Sequence, residues 1–173
     1  LWFSRQIQAI NTPLIDSYLK IVSFIGDYTP MMILLIATLI VFSFTKHKRL
    51  GQFLFFSTFV GIITSTVLKL LVARARPTSE LVLVQVNMSD YSFPSTHCVS
   101  YIIFFGFLYY FLGLQKGHTQ RNKILKSILL LLIFSVSFSR VYLGAHWLTD
   151  CLAGYLLGYF VLLVTIKMYN HER

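Results

Sequence analysis

Five long apolar runs constrain what this 173-residue chain can fold into more than any other feature of the sequence. They cover roughly residues 27–45, 53–73, 98–114, 124–138 and 148–168. A membrane-spanning helix needs about 20 mainly apolar residues, and each run reaches or approaches that length once its flanks are added. Only 12% of the residues are charged, against roughly 25% in soluble domains. The sequence therefore predicts an all-α fold, a polytopic transmembrane helical bundle with about five spans, in one membrane-embedded domain over residues 1–173.

Residues 1–25 precede these runs and carry a different pattern. Apolar residues recur there at helical spacing between polar ones, with a break at Asn11, Thr12 and Pro13. This pattern predicts an N-terminal interfacial helix lying along the membrane surface. Because the chain begins at Leu1 rather than at a methionine, a preceding span or targeting signal is an open alternative.

Nine basic residues gather at one predicted end of the bundle: Lys46, Lys48, Arg49, Lys116, Arg121, Lys123, Lys126, Lys167 and Arg173. Loops rich in lysine and arginine stay on the cytoplasmic side of a membrane, so this end is predicted to be cytoplasmic. The loops at residues 74–97 and 139–147 then share the outer face. Topology and contact with lipid headgroups account for the net charge of +9, so we expect membrane lipids and no nucleic acid as partners.

Two short strings flank the first outer loop. In Lys69–Pro77 (KLLVARARP), Lys69 and Arg76 are seven residues apart, on one face if the helix persists until Pro77 ends it. The neighbouring Arg74 is expected to reach the lipid headgroups. In Pro94–His97 (PSTH), Ser95 or Thr96 can cap the next helix, whose first N–H groups form an anion site beside His97. Taken alone, the second string is weak evidence for an active site, because helix-capping residues and structural histidines are common.

The third string, Ser139–Asp150 (SRVYLGAHWLTD), is the most informative. His146 and Asp150 are four residues apart, which stacks them on one face of a helix. Asp150 can then orient one ring nitrogen of His146 and leave the other free to attack an electrophile. Arg140 stands in the same string as a candidate anion ligand. Three strings on one side of a membrane predict a phosphoryl-transfer site, because charged groups there are costly without a function.

Together these strings resemble the type 2 phosphatidic acid phosphatase superfamily, which includes membrane lipid phosphatases. The family pattern is Lys, six residues, Arg-Pro; then Pro-Ser-Gly-His; then Ser-Arg, five residues, His, three residues, Asp. The chain matches it at Lys69, Arg76, Pro77, Pro94, Ser95, His97, Ser139, Arg140, His146 and Asp150. It departs at Thr96, where the family usually has glycine, and the added side chain leaves rate and substrate range open.

The resemblance implies a role for each matched polar residue. Phosphate oxygens would be bound by Lys69, Arg76, Ser95, the backbone of Thr96, and Arg140. His146 would attack phosphorus to give a phosphohistidine, Asp150 would orient it, and His97 would protonate the leaving oxygen. No cofactor or metal is implied, and the surrounding cations disfavour zinc between His97 and His146. The acidic residues are scattered along the sequence, at Asp16, Asp27, Glu80, Asp90, Asp150 and Glu172.

The predicted substrate is a lipid phosphate or pyrophosphate, because the site opens where a headgroup meets water. Undecaprenyl pyrophosphate, phosphatidate, phosphatidylglycerol phosphate and a lipid A phosphate all stay open. A lipid-linked phosphotransferase would use the same site, whereas a membrane anion transporter would spread its cations through the depth of the bundle. The expected location is a bacterial cytoplasmic membrane, with the active site on the outer, periplasmic or extracellular, face. The sequence gives no indication of oligomeric state.

Small residues suggest how two of the helices meet. Gly154 and Gly158 form a small-xxx-small pair in the last apolar run and weakly predict a close helix contact. Cys98 and Cys151 lie at the outer ends of two runs, where packing between helices is favoured over a disulfide bond.

Overall fold

The computed structural model describes residues 1–10, 12–86, 88–115 and 119–171. Asn11, Lys116, His118, Glu172 and Arg173 lie outside the described residues. Within these ranges the chain forms helices and no β-strand. The seven helices are α1 (Trp2–Ala9), α2 (Pro13–Gly26), α3 (Tyr28–Ser43), α4 (Lys48–Val72), α5 (Thr96–Leu114), α6 (Gln120–Tyr142) and α7 (Leu148–His171).

The helices α4, α5, α6 and α7 are each long and apolar enough to cross a membrane. A further pair, α2 and α3, passes the same test together, although the two are bent by 62° at Asp27. The described chain thus has four spans, or five if the bent pair counts as one. This confirms the predicted polytopic helical bundle, and the shortest apolar run, 124–138, lies inside the 23-residue helix α6.

The segment 1–25 differs from the single interfacial helix that the sequence predicts. It forms two helices, because Thr12 caps the second one by accepting a hydrogen bond from the Ile15 N–H, and Pro13 occupies its first turn. The side chains of Leu19 and Val22 on α2 are buried. On α6, the Ser139 hydroxyl donates to the Leu19 carbonyl at 2.6 Å. The second helix is therefore part of the packed bundle.

The end of α4 also differs from the prediction. The helix stops at Val72, five residues before Pro77, because Ala73 adopts a left-handed conformation with φ of 48°. A left-handed residue is a common helix terminator, and here its N–H donates to the Lys69 carbonyl. The expectation that Lys69 and Arg76 share one face of a continuous helix is wrong, since Arg76 lies in the following loop.

Close packing of α5 against α7 brings the second and third strings together. A Cβ atom at Gly154 would lie 2.6 Å from the Ser95 carbonyl oxygen, and one at Gly158 would lie 2.9 Å from that of Val99. Both distances are too short for any side chain, so the two glycines set the spacing of the helices as predicted. The Ser95 N–H consequently donates to the Asp150 carbonyl at 3.0 Å. Cys98 and Cys151 are both buried as free thiols.

The chain order of the helix ends separates the motifs from the basic residues. The C-termini of α4 and α6 and the N-termini of α5 and α7 carry the three strings. The described basic residues named above lie at the opposite helix ends: Lys46, Lys48, Arg49, Arg121, Lys123, Lys126 and Lys167. The structure thus has one motif end and one basic end.

Candidate active site

A cavity of about 470 Å³ lies at the motif end, bounded mainly by α3, α4, α5 and the loop between α4 and α5. Five of the predicted site residues line it: Lys69, Arg76, Thr96, His97 and His146. The other three, Ser95, Arg140 and Asp150, are fully buried around it. Three strings that together span 82 residues of the sequence, from Lys69 to Asp150, therefore form one cluster.

The tight turn after α6 holds His146 in place. Gly144 has a φ of 69°, and a Cβ atom there would lie 2.3 Å from the Leu83 carbonyl oxygen, so glycine is required. The backbone N–H groups of Ala145 and His146 both donate to the Arg140 carbonyl, at 3.0 and 3.3 Å. This backbone anchoring presents the imidazole to the cavity from a loop, since α7 begins only at Leu148. The expectation that His146 and Asp150 share one face of a helix is therefore wrong, although their side chains still face each other.

The contacts of the His146 ring indicate its tautomer. Its Nε2 atom is 3.3 Å from Nη1 of Arg76, and a guanidinium can only donate, so Nε2 is the unprotonated nitrogen. The proton of the neutral ring then sits on Nδ1, which faces Oδ2 of Asp150 at 3.5 Å. That separation is longer than a formed hydrogen bond, and Nδ1 is a buried atom without a hydrogen-bond partner.

Burial and positive neighbours keep His146 neutral. The ring is almost completely buried, and Arg140, Arg76 and Lys69 all lie near it. Desolvation first, and then the charges of these cations, lower the pKa of His146 well below its usual value of 6.5. A neutral imidazole with an unprotonated Nε2 is the form that can act as a nucleophile.

Arg74 makes a contact that the sequence did not predict. Instead of reaching lipid headgroups, its Nη1 donates to Oδ1 of Asp150 at 2.6 Å and to the Thr149 hydroxyl at 2.7 Å. Its guanidinium also lies over the Trp147 ring, 5.9 Å from the centroid. The left-handed Ala73 explains the difference, because it ends α4 and directs the following residues across the motif end. Asp150 is thus held by Arg74, by the Trp147 N–H at 2.9 Å, and less closely by His146.

The loop segment Met88–Tyr91 contacts all three of the cations that are predicted to bind phosphate. The Asp90 carboxylate lies 3.3 Å from Nζ of Lys69 and 2.6 Å from Nη2 of Arg76. Nη2 of Arg140 is 3.0 Å from the Met88 sulfur. Burial raises the pKa of Asp90, but the charges of Lys69 and Arg76 outweigh it, so the pKa is lowered overall and the carboxylate stays ionised. A carboxylate thus occupies a position suited to an anionic ligand.

Buried polar atoms without a hydrogen-bond partner concentrate around this cavity. Among the described residues there are four, Thr58 Oγ1, Ser95 Oγ, Arg140 Nε and His146 Nδ1, of which the last three belong to the site. Ser95 sits at the N-cap of α5, yet its hydroxyl makes no capping bond. Such groups are costly to bury unless a ligand satisfies them. Thr96, by contrast, accepts a hydrogen bond from the Ser65 hydroxyl of α4 at 3.0 Å.

Asp27 is a third residue that sequence reasoning missed, after Arg74 and Asp90. Its Oδ1 atom lies 3.0 Å from Nε2 of His97, although the two are 70 residues apart. Asp27, Asp90 and Asp150, scattered in the sequence, all converge on the site. The available signal was the position of Asp27 at the start of an apolar run, where a carboxylate needs a partner. No group of three or more His, Cys, Asp or Glu side chains within the described residues is arranged to hold a metal ion.

Residues 51–173 match the family model described as the PAP2 superfamily. The chain belongs to the PAP2 superfamily. It is 28% identical over 148 residues to an undecaprenyl-diphosphatase of Sulfolobus acidocaldarius, covering 84% of this chain and 68% of that protein. It is 30% identical over 119 residues to phosphatidylglycerophosphatase B of Bacillus subtilis, covering 62% of this chain and 57% of that protein.

Two solved structures share the fold, and one of them is described as a PAP2 type phosphatase. The Bacillus subtilis transmembrane phosphatidylglycerolphosphate phosphatase superposes with a TM-score of 0.84 at 23% identity, over 98% of this chain and 84% of that one. Aquifex aeolicus LpxE superposes with a TM-score of 0.75 at 23% identity, over 95% and 93%. The PAP2 match and the helical bundle place the chain among multi-pass membrane phosphatases, as the resemblance implied.

Proposed function

We propose that this PAP2 protein hydrolyses a phosphate monoester or pyrophosphate of a membrane lipid through a phosphohistidine at His146. The observation that carries the proposal is the unprotonated Nε2 of His146, which faces a cavity whose walls also carry Lys69 and Arg76. A nucleophile beside buried cations is suited to an anionic phosphorus centre, where positioning and electrostatic stabilisation supply most of the catalysis.

In the first half-reaction Nε2 of His146 attacks phosphorus while the bond to the leaving oxygen breaks. His97 donates a proton to that oxygen, so the lipid departs as a neutral alcohol or as a lipid phosphate. Lys69, Arg76 and Arg140 hold the phosphoryl oxygens together with the Ser95 hydroxyl and the N–H of Thr96. Ser95 Oγ and Arg140 Nε are buried without a hydrogen-bond partner. This supports the assignment, because phosphate oxygens would give both atoms a partner.

In the second half-reaction the neutral His97 takes a proton from water. The water oxygen attacks the phosphohistidine, the phosphorus–nitrogen bond breaks, and inorganic phosphate leaves. Asp150 stabilises the positive charge on the His146 ring throughout, and Arg74 keeps its carboxylate in place. The same intermediate could transfer its phosphoryl group to a lipid alcohol, but the phosphatase names of both curated relatives favour water as the acceptor.

A lipid substrate is supported by the shape of the cavity. Its walls continue from the charged end along apolar side chains of α3 and α4, namely Tyr28, Met31, Ile62 and Leu70. Tyr28 and Leu70 are 72% and 68% exposed, at the surface that a bilayer would cover. A phosphate held by Lys69 and Arg76 can thus keep its chain in the hydrocarbon. The relatives named as undecaprenyl-diphosphatase and phosphatidylglycerophosphatase B support the same substrate class.

Phosphate release from a panel of purified lipid phosphates and pyrophosphates, in detergent micelles, tests the function. The wild-type protein should release phosphate from at least one member and form an acid-labile phosphoenzyme that His146→Ala cannot form. Lys20→Gln is a matched control, since Lys20 pairs with Asp16 on the exposed side of α2. A phosphoenzyme that survives in His146→Ala would contradict the assigned nucleophile.

Metal dependence gives a separate test of the mechanism. Because cationic side chains and the N-terminus of α5 are proposed to bind the phosphate, hydrolysis should continue in excess EDTA. Vanadate, which adopts the geometry of a transferring phosphoryl group, should inhibit. Activity that disappears in EDTA and returns with magnesium or zinc would overturn the proposal of a metal-independent reaction.

A further inference from the structure

We propose that Asp27 is a positioning residue for the general acid: it orients His97 and supplies a negative charge that favours protonation of its imidazole. The inference rests on the proposed function and adds a residue outside the three motif strings. The site would then contain two carboxylate–histidine pairs, Asp150 with His146 and Asp27 with His97.

Asp27 lies closer to its histidine than Asp150 does to its own. Oδ1 of Asp27 is 3.0 Å from Nε2 of His97, whereas the Asp150–His146 pair is separated by 3.5 Å. An ionised carboxylate only accepts hydrogen bonds, so Nε2 of His97 carries a proton. A carboxylate at this distance favours the protonated, positively charged imidazole. That is the form in which a histidine can donate a proton to a leaving oxygen.

The charges around His97 explain why it needs such a partner. Its side chain is 8% exposed, and the charge of Arg140 acts on it. Protonation of the buried His97 ring would place a second positive charge near the Arg140 guanidinium. Without a nearby negative charge, that is unfavourable. Asp27 offsets part of that repulsion. The Asp27 side chain is 47% exposed and lines the same cavity, so it reaches His97 without being fully desolvated.

The fold holds Asp27 in this position through the break between α2 and α3. Gly26 lets the backbone approach the imidazole, since a Cβ atom there would lie 2.4 Å from Cδ2 of His97. The Tyr101 hydroxyl donates to the Val22 carbonyl at 2.5 Å, and Arg140 donates to the Ser23 hydroxyl. These contacts fix the last turn of α2 against α5 and α6. The 62° bend that follows directs Asp27 toward the cavity.

Leaving-group dependence separates a role in proton donation from a purely structural one. A lipid phosphate has a poor leaving group that needs the proton, whereas nitrophenyl phosphate has a good one that does not. Asp27→Asn should lower the rate of phosphoenzyme formation, measured in a single turnover so that the later attack of water plays no part, by about 10-fold to 100-fold with the lipid phosphate and by less than about threefold with nitrophenyl phosphate. The double variant Asp27→Asn/His97→Ala should be no slower on the lipid phosphate than His97→Ala alone, because both changes remove the same step.

Three controls keep the result interpretable. Asp16→Asn changes a half-buried carboxylate of α2 that pairs with Lys20 and accepts a hydrogen bond from the Tyr142 hydroxyl, outside the lining of the cavity, and should leave both rates unchanged. Asp27→Glu keeps the charge and should recover part of the lipid phosphatase activity. The phosphoenzyme formed by Asp27→Asn with nitrophenyl phosphate shows that the variant is folded and that His146 works.

Equal losses on the two substrates, no loss on either, or additive losses in the double variant would each overturn the role of Asp27. Failure of the proposed function has a different signature, because the wild-type protein would then release phosphate from no lipid phosphate and form no phosphohistidine.

Discussion

At the scale of single residues, the geometry of the site depends on the motif side chains and equally on the residues that hold those side chains in place. Asp150 is bound more closely by Arg74 than by His146, with distances of 2.6 and 3.5 Å. A carboxylate that orients a histidine must itself be held, and its partners often affect activity strongly. Thr96 is a similar case, since its hydroxyl is engaged by Ser65 of the neighbouring helix.

Arg74→Gln should lower kcat by about tenfold while leaving KM within about twofold, because it loosens Asp150 without touching the substrate. That loss corresponds to about 1.4 kcal/mol of transition-state stabilisation. Steady-state kinetics on a lipid phosphate measure it, with Lys20→Gln as the matched change of a surface cation. An unchanged kcat would show that Asp150 needs no support from Arg74.

Thr96→Gly restores the residue usual in the family and should keep kcat within about tenfold, because the backbone N–H is retained. It should lower stability by about 1 kcal/mol, since it removes the hydrogen bond with Ser65 and introduces glycine into the first turn of α5. Thermal unfolding in detergent measures the shift, and Thr96→Ser, which keeps the hydroxyl, should have nearly the wild-type Tm. Complete loss of turnover would show that the threonine side chain has a role of its own in the pocket.

At the scale of elements, the segment Met88–Tyr91 lies over the cations that are proposed to bind phosphate. The Asp90 carboxylate pairs with Lys69 and Arg76, so an incoming phosphate must compete with it. Because the Asp90 side chain is 52% exposed, these ion pairs are partly screened by solvent and substrate can displace them. If these cations bind phosphate as proposed, the α4–α5 loop is coupled to occupancy of the site.

Asp90→Asn should strengthen inhibition by vanadate about threefold to tenfold, because the neutral side chain competes less for Lys69 and Arg76. Inhibition curves on one substrate measure the change. Glu80→Gln removes an exposed carboxylate from the same loop and should leave the inhibition constant unchanged. Weaker inhibition in Asp90→Asn would instead mean that Asp90 helps to arrange the cations for anion binding.

At the scale of the whole molecule, the separation of charge determines which way the protein faces. The motif end and the basic end lie at opposite ends of α4, α5, α6 and α7. Lysine and arginine favour the cytoplasmic side, so we propose that the active site opens to the outer face. The phosphate groups of substrate headgroups would then be hydrolysed at the outer surface of the membrane.

Labelling with an impermeant thiol reagent in intact cells tests this orientation. Single cysteines at Ser79, an exposed position in the motif-end loop, and at Gln120, an exposed position at the basic end, should behave differently. In a background with Cys98→Ala and Cys151→Ala, the cysteine at 79 should react and the cysteine at 120 should not. The reverse pattern would place the active site in the cytoplasm.

The sequence by itself determined the membrane bundle, the order of its spans and the residues of the three strings. Apolar run length and motif spacing are properties of short stretches, and they hold however the helices later pack. The glycine pair in α7 was also readable, because its effect depends only on the missing side chains.

Only the tertiary structure decided how the charged groups pair. Asp27 and His97 are 70 residues apart, and Arg74 and Asp150 are 76 apart, so no local pattern connects them. Each pairing depends on a single change of chain direction, the 62° bend after Gly26 and the left-handed Ala73. Unlike a helix or a strand, an ionic contact leaves no repeating pattern in the sequence. It forms wherever the packed backbone brings opposite charges within a few ångströms, and that path is set by the whole bundle.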